Sequence, residues 1–111
     1  MSRSTLKRNS QFRLVYSKGA KVAGKEVVIY FLRNDGDKVL PGYVASRKIG
    51  KAVYRSRSKR IMREAFRRLS PRIKEKGLWI VFVAAFQPKG KTLKEVLEDI
   101  EGSMSTAGLI S

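Results

Sequence analysis

The chain has 111 residues, and its 25 Lys and Arg against 9 Asp and Glu give a formal net charge of +16. That length suits one domain with a buried core, and the charge predicts a polyanionic partner that neutralises the self-repulsion of the cations. Cysteine and histidine are both absent, which excludes disulfides, thiolate nucleophiles, zinc sites of the usual ligand types and the most common general base.

The hydrophobic content of 42% can repay the entropy of ordering the chain, so a folded protein is predicted rather than a disordered basic tail. We expect one domain over residues 1–111, with flexible tails at 1–8 and 103–111. The start is basic and polar, without the apolar region of a secretory signal, and the longest apolar run, Leu78 to Phe86, is too short to span a bilayer. We therefore expect a cytoplasmic protein that does not contact a membrane.

A short helix is predicted near the start of the chain. Asn9 or Ser10 can cap it, and Gly19 follows where a left-handed C-terminal residue belongs. Its apolar side chains recur at helical spacing and are Phe12, Val15 and Tyr16. Side chains in this pattern more often build a core than contact a ligand, and the pattern by itself leaves both roles open.

Two strands are predicted after this helix. The first is the β-branched and aromatic run from Lys25 to Arg33, and the second extends from Val39 to Lys48. Turn residues from Asn34 to Asp37 separate them, which predicts that the two strands pair as a hairpin. Pro41 weakens the start of the second strand.

A longer helix is predicted from Tyr54 to Leu69, where a rotation of about 100° per residue separates two faces. The apolar face consists of Ile61, Met62, Ala65, Phe66 and Leu69. The opposite face carries Arg55, Lys59, Arg63 and Arg67 at i, i+4 steps, flanked by Arg57, Arg60 and Arg68, with Glu64 as its only acid. Like charges at this spacing cost about 0.2–0.5 kcal/mol per pair, so we expect a bound anion to offset their repulsion.

The most apolar strand runs from Leu78 to Val83 and is predicted to lie at the centre of the sheet. Thr92 and Glu95 form a capping box for a last helix that ends at Gly102. This order of elements predicts an α+β sandwich.

Positive charge is concentrated between Arg47 and Arg68, and most of it is arginine. The planar guanidinium contacts phosphate oxygens through two hydrogen bonds and stacks on bases. A solvated helix face is the usual explanation of a charge run, but such faces normally mix both signs. The segment is therefore predicted to bind RNA.

The segment from Arg47 to Arg67, RKIGKAVYRSRSKRIMREAFR, closely resembles the signature of the bacterial ribonuclease P protein subunit family. The resemblance extends through Leu6 to Arg8 and Phe12 to Gly19 at the front, and through the Trp79 to Val83 strand and the closing helix. It covers nearly the whole chain. The fold that it implies is a two-layer α/β sandwich like domain 2 of ribosomal protein S5, with three helices, about four mostly antiparallel strands and a left-handed βαβ crossover.

The resemblance also implies a function. Members of this family join a large catalytic RNA and promote removal of the 5′ leader from precursor tRNA. The RNA, with bound Mg²⁺, performs the hydrolysis, so the protein is expected to have no catalytic residue, no bound cofactor or metal, and no obligate protein partner. Its partners are expected to be the RNA subunit and precursor tRNA.

The family's functional positions can be placed on this sequence. The expected RNA-binding residues are Arg47, Lys48, Lys51, Arg55, Ser56, Arg57, Lys59, Arg60, Arg63 and Arg67. The expected leader-binding residues, in a cleft between the first helix and the sheet, are Phe12, Tyr16, Tyr43 and Lys89. Ser56 stands where asparagine is typical. Ala85 and Phe86 replace the family's usual arginine and proline, so a leader contact there is either missing or supplied by Lys89 or Lys91.

Three other functions could be assigned to a chain of this charge. A ribosomal-type structural RNA-binding protein would share the charge and the fold, and it remains the main alternative. A DNA-binding protein that inserts the basic helix into the major groove is disfavoured, because the basic face lacks the Asn and Gln that read adenine. A protein nuclease is disfavoured because its carboxylates are scattered along the chain.

Overall fold

The computed structural model describes residues 5–88 and 90–111. Its helices and strands are α1 (Asn9–Lys18), β1 (Ala20–Ala23), β2 (Val27–Arg33), β3 (Val39–Val44), α2 (Ala52–Leu69), β4 (Leu78–Ala84) and α3 (Leu93–Thr106). Short 3₁₀ turns occur at Arg47–Ile49 and Ser70–Arg72. Among the described residues, no helix combines the length and the apolar character needed to cross a bilayer. The α+β class predicted from the order of elements is confirmed.

The four strands form one sheet in the order β1-β2-β4-β3. All neighbours are antiparallel except β3 and β4, which are parallel. Strand β4 thus lies inside the sheet, as its apolar sequence predicts. The predicted hairpin of β2 and β3 is wrong, because β4 is inserted between them.

The residues between β2 and β3 form a bridge across the beginning of β4. The Asn34 N–H donates to the Gly77 carbonyl at 3.2 Å, and the Leu78 N–H donates to the Lys38 carbonyl at 3.1 Å. Gly77 is needed here, since a Cβ at this position would be 2.4 Å from the Gly36 carbonyl oxygen. The turn residues therefore do form a turn, but it crosses a third strand instead of closing a hairpin.

Strand β3 is an edge strand, where a proline such as Pro41 is tolerated. The chain continues from β3 through α2 to β4, which pairs parallel to β3. The left-handedness expected of this β3–α2–β4 unit stays a prediction.

Strand β1 was not predicted, because four residues are too few for a periodic signal. It forms by pairing with β2, where Ala20 lies opposite Phe31. Gly19, which precedes it, has an extended backbone with φ −85°, so the predicted left-handed conformation is wrong. The position instead requires a residue without a side chain, because a Cβ would lie 2.4 Å from the Phe31 carbonyl oxygen.

The two faces of the sheet are covered unequally. Helices α2 and α3 pack on one face over the main core, which contains Ile29, Ile80 and Phe82. Helix α1 covers part of the other face, where Val15 and Val81 are buried with Leu6. The uncovered part of that face leaves room beside α1.

Described residues from both predicted tails pack into the fold. Helix α3 continues to Thr106, beyond the predicted end at Gly102, and Met104, Leu109 and Ile110 are buried. The expectation that 103–111 frays is wrong, since these apolar side chains have a place in the core. At the other end Leu6 is buried and its N–H donates to the Pro41 carbonyl at 2.9 Å, whereas residues 1–4 lie outside the described residues.

Candidate nucleic-acid interface

Helix α2 has the two-sided character that its sequence predicts. It begins at Ala52, two residues before the predicted start. The buried side chains on its inner face are Ser58, Met62, Ala65, Phe66 and Leu69, while Ile61 is half-buried. The Ser58 hydroxyl donates to the Tyr54 carbonyl at 3.0 Å, so a polar residue is tolerated on this face. Burial of the inner face forces the cations toward solvent.

The cations of α2 and of the segment before it form a surface that we call the α2 basic surface. Its members are Arg47, Lys48, Lys51, Arg55, Arg57, Lys59, Arg60, Arg63 and Arg67. Arg55 and Lys59 are half-buried and the others are exposed; Ser56 is exposed between two of the arginines. Among the described residues, Arg67 is the one member of this surface that lies within 4.0 Å of a carboxylate.

The single acid of α2 organises one end of this surface. The Glu64 carboxylate accepts hydrogen bonds from Arg67 and, at 3.3 Å, from the Nε of Arg68. These hydrogen bonds, that of Arg67 above all, lower the pKa of Glu64 below its ordinary value. Glu64 therefore stays ionised at neutral pH and holds Arg67 in place, but it leaves the rest of the α2 basic surface uncompensated.

Arg63 is positioned by an aromatic ring. Its guanidinium carbon lies 5.2 Å from the centre of the Tyr43 ring, within the range of a cation–π contact. The Tyr43 ring is in turn stacked on Phe82, with 5.7 Å between ring centres and 13° between planes. The Tyr43 ring thus packs against Phe82 and supports Arg63.

A groove of about 350 Å³ lies between α1 and the end of β3. We call it the α1 groove, and its lining residues are Asn9, Phe12, Tyr16, Tyr43, Val44, Ala45 and Lys59. The structure therefore brings Phe12, Tyr16 and Tyr43 of the predicted leader-binding set to one place. It also brings Lys59 there, which connects the groove to the α2 basic surface. Lys89, the fourth predicted residue, lies outside the described residues.

Phe12 and Tyr16 occupy different environments in the α1 groove. The Phe12 ring is half-buried against Gly42, where a Cβ would lie 2.6 Å from the ring. The Tyr16 side chain remains 41% exposed and meets Tyr30 edge to face, with 4.8 Å between ring centres. Burial of part of the Tyr16 phenol, together with Tyr30, raises its pKa, so the hydroxyl stays protonated near neutral pH and able to donate a hydrogen bond.

Lys21 is a residue that the sequence reasoning missed. It lies on β1 directly opposite Tyr30, and its Nζ is 5.7 Å from the centre of the Tyr30 ring. Tyr30 itself is half-buried and packs under α1. The sequence reasoning missed Lys21 because it did not predict β1, and it is this strand that places Lys21 beside Tyr16 and Tyr30.

The end of β4 offers no cation where the family usually has arginine. Phe86 is buried in the main core and Ala85 is exposed, its N–H donating to the Glu26 carbonyl at 2.8 Å. The Lys91 ammonium lies 2.9 Å from a Glu26 carboxylate oxygen and 3.4 Å from one of Glu95. The bond to Glu26 raises the pKa of Lys91, so this lysine is engaged in holding the loop before α3.

Carboxylates do not assemble into a reaction centre in the part of the chain that the structure describes. Within residues 5–88 and 90–111, the Asp and Glu side chains form no group of three or more that could hold a metal ion. Asp35 and Asp37 are exposed in the turn before β3. The cations of the α2 basic surface instead suit the binding of a polyanion.

Comparison with known proteins gives a consistent picture. A family model described as Ribonuclease P matches residues 1–108. The chain is 40% identical over 97 residues to the "Ribonuclease P protein component" of Clostridioides difficile (strain 630), covering 86% of this chain and 84% of that relative. It is 37% identical over 106 residues to the component from Symbiobacterium thermophilum, covering 95% and 91%.

Solved structures agree with the sequence matches. The RNase P protein of Staphylococcus aureus superimposes with a TM-score of 0.84 at 28% identity, covering 99% of this chain and 100% of that one. The RNase P protein from Thermotoga maritima gives a TM-score of 0.80 at 29% identity, covering 90% and 94%. With sequence, family model and fold in agreement, the chain belongs to the ribonuclease P protein family.

Proposed function

We propose that this chain is the protein subunit of a bacterial ribonuclease P, a ribonucleoprotein that removes the 5′ leader from precursor tRNA. The observation that carries the proposal is the α2 basic surface, whose exposed cations, apart from Arg67, lack carboxylate partners among the described residues. Phosphates would supply the missing counter-charge. Family membership narrows the polyanion to the RNAs of this enzyme.

The α2 basic surface and the α1 groove would bind different RNAs. The α2 basic surface contacts the RNA subunit, because the planar guanidinium groups of arginine can each form two hydrogen bonds to the closely spaced phosphates of a folded RNA. The α1 groove takes the single-stranded leader, because bases without partners can stack on rings such as Phe12 and Tyr16. Lys59 lies where the two surfaces meet and would contact the backbone between them.

Catalysis is assigned to the RNA subunit and its Mg²⁺, and no residue of this chain is given a catalytic role. The protein contributes positive charge that would otherwise come from bound cations, and it positions the leader. The holoenzyme would work in the cytoplasm, with the RNA subunit and precursor tRNA as the only partners that the proposal needs.

Reconstitution tests this proposal. The purified chain is added to a bacterial ribonuclease P RNA at an Mg²⁺ concentration too low for the RNA alone to cleave precursor tRNA. Cleavage at the leader junction is expected to appear, because the cations of the protein screen the repulsion between the two RNAs. Polylysine at equal charge is the control for nonspecific screening.

Failure to stimulate any bacterial ribonuclease P RNA, or stimulation no greater than that by polylysine, would contradict the proposal. The first result would favour a ribosomal-type structural protein, which binds RNA but does not affect tRNA 5′ maturation.

A further inference from the structure

A second, larger cavity lies where the beginning of β3 faces the C-terminal half of α2. We call it the β3 cavity; its volume is about 610 Å³, within the roughly 300–1,000 Å³ of typical ligand pockets. Apolar groups from Val39, Pro41 and Phe66 line it, and three cationic side chains, Lys38, Arg63 and Arg67, reach it as well. It shares only Tyr43 with the lining of the α1 groove.

The two arginines of the β3 cavity are held in place, Arg63 by a ring that lines the cavity and Arg67 by a carboxylate outside it. Arg63 lies over the Tyr43 ring at 5.2 Å, and the Nε of Arg67 donates to Glu64 at 3.1 Å. Positioned guanidinium planes lose less entropy on binding than free ones and can stack on a flat ligand. Lys38 is exposed at the beginning of β3 and adds a third charge.

Apolar walls next to fixed cations match one class of ligand in an RNA enzyme. A nucleotide combines a flat base, which gains from apolar and stacking contacts, with a phosphate, which gains from the cations. A base within a duplex cannot enter, because it is stacked between its neighbours. The β3 cavity therefore suits a nucleotide from a loop or bulge.

We propose that the β3 cavity holds one unstacked nucleotide of the RNA subunit, with the base against Val39, Pro41 and Phe66 and the phosphate between Lys38 and Arg63. The inference rests on the proposed function and refines it, since it adds a base-holding site to a surface otherwise assigned to phosphates. The RNA subunit is the source because Arg63 and Arg67 belong to the α2 basic surface, whereas the leader is assigned to the α1 groove.

Two variants and a matched control test the assignment by affinity for a bacterial ribonuclease P RNA without substrate. Val39→Phe fills the cavity without changing charge, so affinity is expected to fall about tenfold while the salt dependence stays the same. Lys38→Ala removes a phosphate contact, so the salt slope is expected to fall by about one. Lys94→Ala, which removes an equal charge from the exposed side of α3, is expected to change neither markedly.

Thermal unfolding of Val39→Phe checks that any loss is not misfolding, and Lys38→Ala provides an independent test because its side chain is exposed. If the parent chain stimulates cleavage but both variants bind the RNA subunit as it does, the β3 cavity assignment falls and the proposed function stands. If the parent chain itself does not stimulate, the proposed function falls.

Photocrosslinking identifies the source of the nucleotide. A benzoylphenylalanine in place of Lys38 is irradiated in the holoenzyme, with and without precursor tRNA. The expected product joins the protein to an unpaired nucleotide of the RNA subunit in both samples. Crosslinks to the leader alone, or to paired nucleotides alone, would overturn the assignment.

Discussion

Single side chains decide how this protein presents charge. Arg55 and Arg63 lie two turns apart on α2, one half-buried and one exposed over an aromatic ring. Neither is within 4.0 Å of a carboxylate among the described residues. Without a carboxylate partner, these two guanidinium groups are available for an anionic ligand.

Replacement of both arginines tests that availability. Arg55→Ala with Arg63→Ala is expected to weaken binding to the RNA subunit and to lower the salt slope by roughly two contacts, because each lost phosphate contact removes about 0.9 from the slope. Binding is measured at several salt concentrations. Lys74→Ala with Lys94→Ala, an equal charge change at exposed positions outside the α2 basic surface, serves as control. An unchanged slope in the arginine double variant would contradict the assignment.

Phe12 is the residue that separates leader binding from simple packing. Phe12→Ala is expected to lower affinity for precursor tRNA with a long leader by about 1–3 kcal/mol, the value of one stacked base, and to affect leaderless tRNA little. Both affinities are measured with the holoenzyme. Leu14→Ala, an exposed position on the same helix that does not line the α1 groove, is the control. Equal losses on both RNAs would make Phe12 a packing residue only.

At the scale of elements, one tertiary contact fixes a local turn to a distant helix. It joins α3 to the turn between β1 and β2 and to the first residue of β2. The Asp99 carboxylate accepts hydrogen bonds from three consecutive backbone N–H groups, those of Lys25, Glu26 and Val27, at 2.8–3.0 Å. Gly24 lies so close that a Cβ there would be 2.4 Å from the carboxylate.

Loss of this carboxylate should weaken the fold. Asp99→Ala leaves three N–H groups without their acceptor and is expected to lower the free energy of unfolding by about 2–4 kcal/mol. Denaturant unfolding at neutral pH gives the value. The neighbouring Glu98→Ala, at an exposed position of α3, should change stability by less than about 0.5 kcal/mol. Similar losses in both variants would show that Asp99 acts only through its charge.

At the scale of the molecule, the charge of this protein is insensitive to pH near neutrality. The sequence contains no histidine and no cysteine. Carboxylates ordinarily titrate near 4 and lysines above 10, and arginines stay charged at still higher pH. The resolved shifts widen the gap, because the pKa of Glu64 is lowered and those of Lys91 and Tyr16 are raised.

Affinity for the RNA subunit is therefore expected to be nearly constant between pH 6 and pH 9 at fixed salt and Mg²⁺. Two ion pairs limit the pH range over which the fold keeps its full stability. Stability that Glu64 contributes is present above its ordinary pKa and is lost as the pH falls through the lowered value; that from Lys91 is lost as the pH rises through its raised value. A change of more than about threefold in affinity within the plateau would indicate an unrecognised titrating group.

The sequence alone predicted the features that depend on local periodicity. The apolar and basic sides of α2, the internal position of β4 and the Thr92 cap of α3 were all predicted, and the structure confirms them. Each of these features is encoded by residues within a single element, so the local sequence is enough to predict it. The hairpin of β2 and β3, the conformation of Gly19 and the end of α3 were predicted wrongly, since each depends on segments distant in the chain.

The amino-acid sequence by itself determined that this protein has an excess of fixed positive charge and that one helix directs much of it away from an apolar core. Both follow from composition and from a 3.6-residue period. Only the tertiary structure decided that β4 separates β2 from β3, that Gly42 makes room for the Phe12 ring, and that Arg63 lies over Tyr43. The α1 groove and the β3 cavity arise from those long-range contacts, which no local pattern encodes.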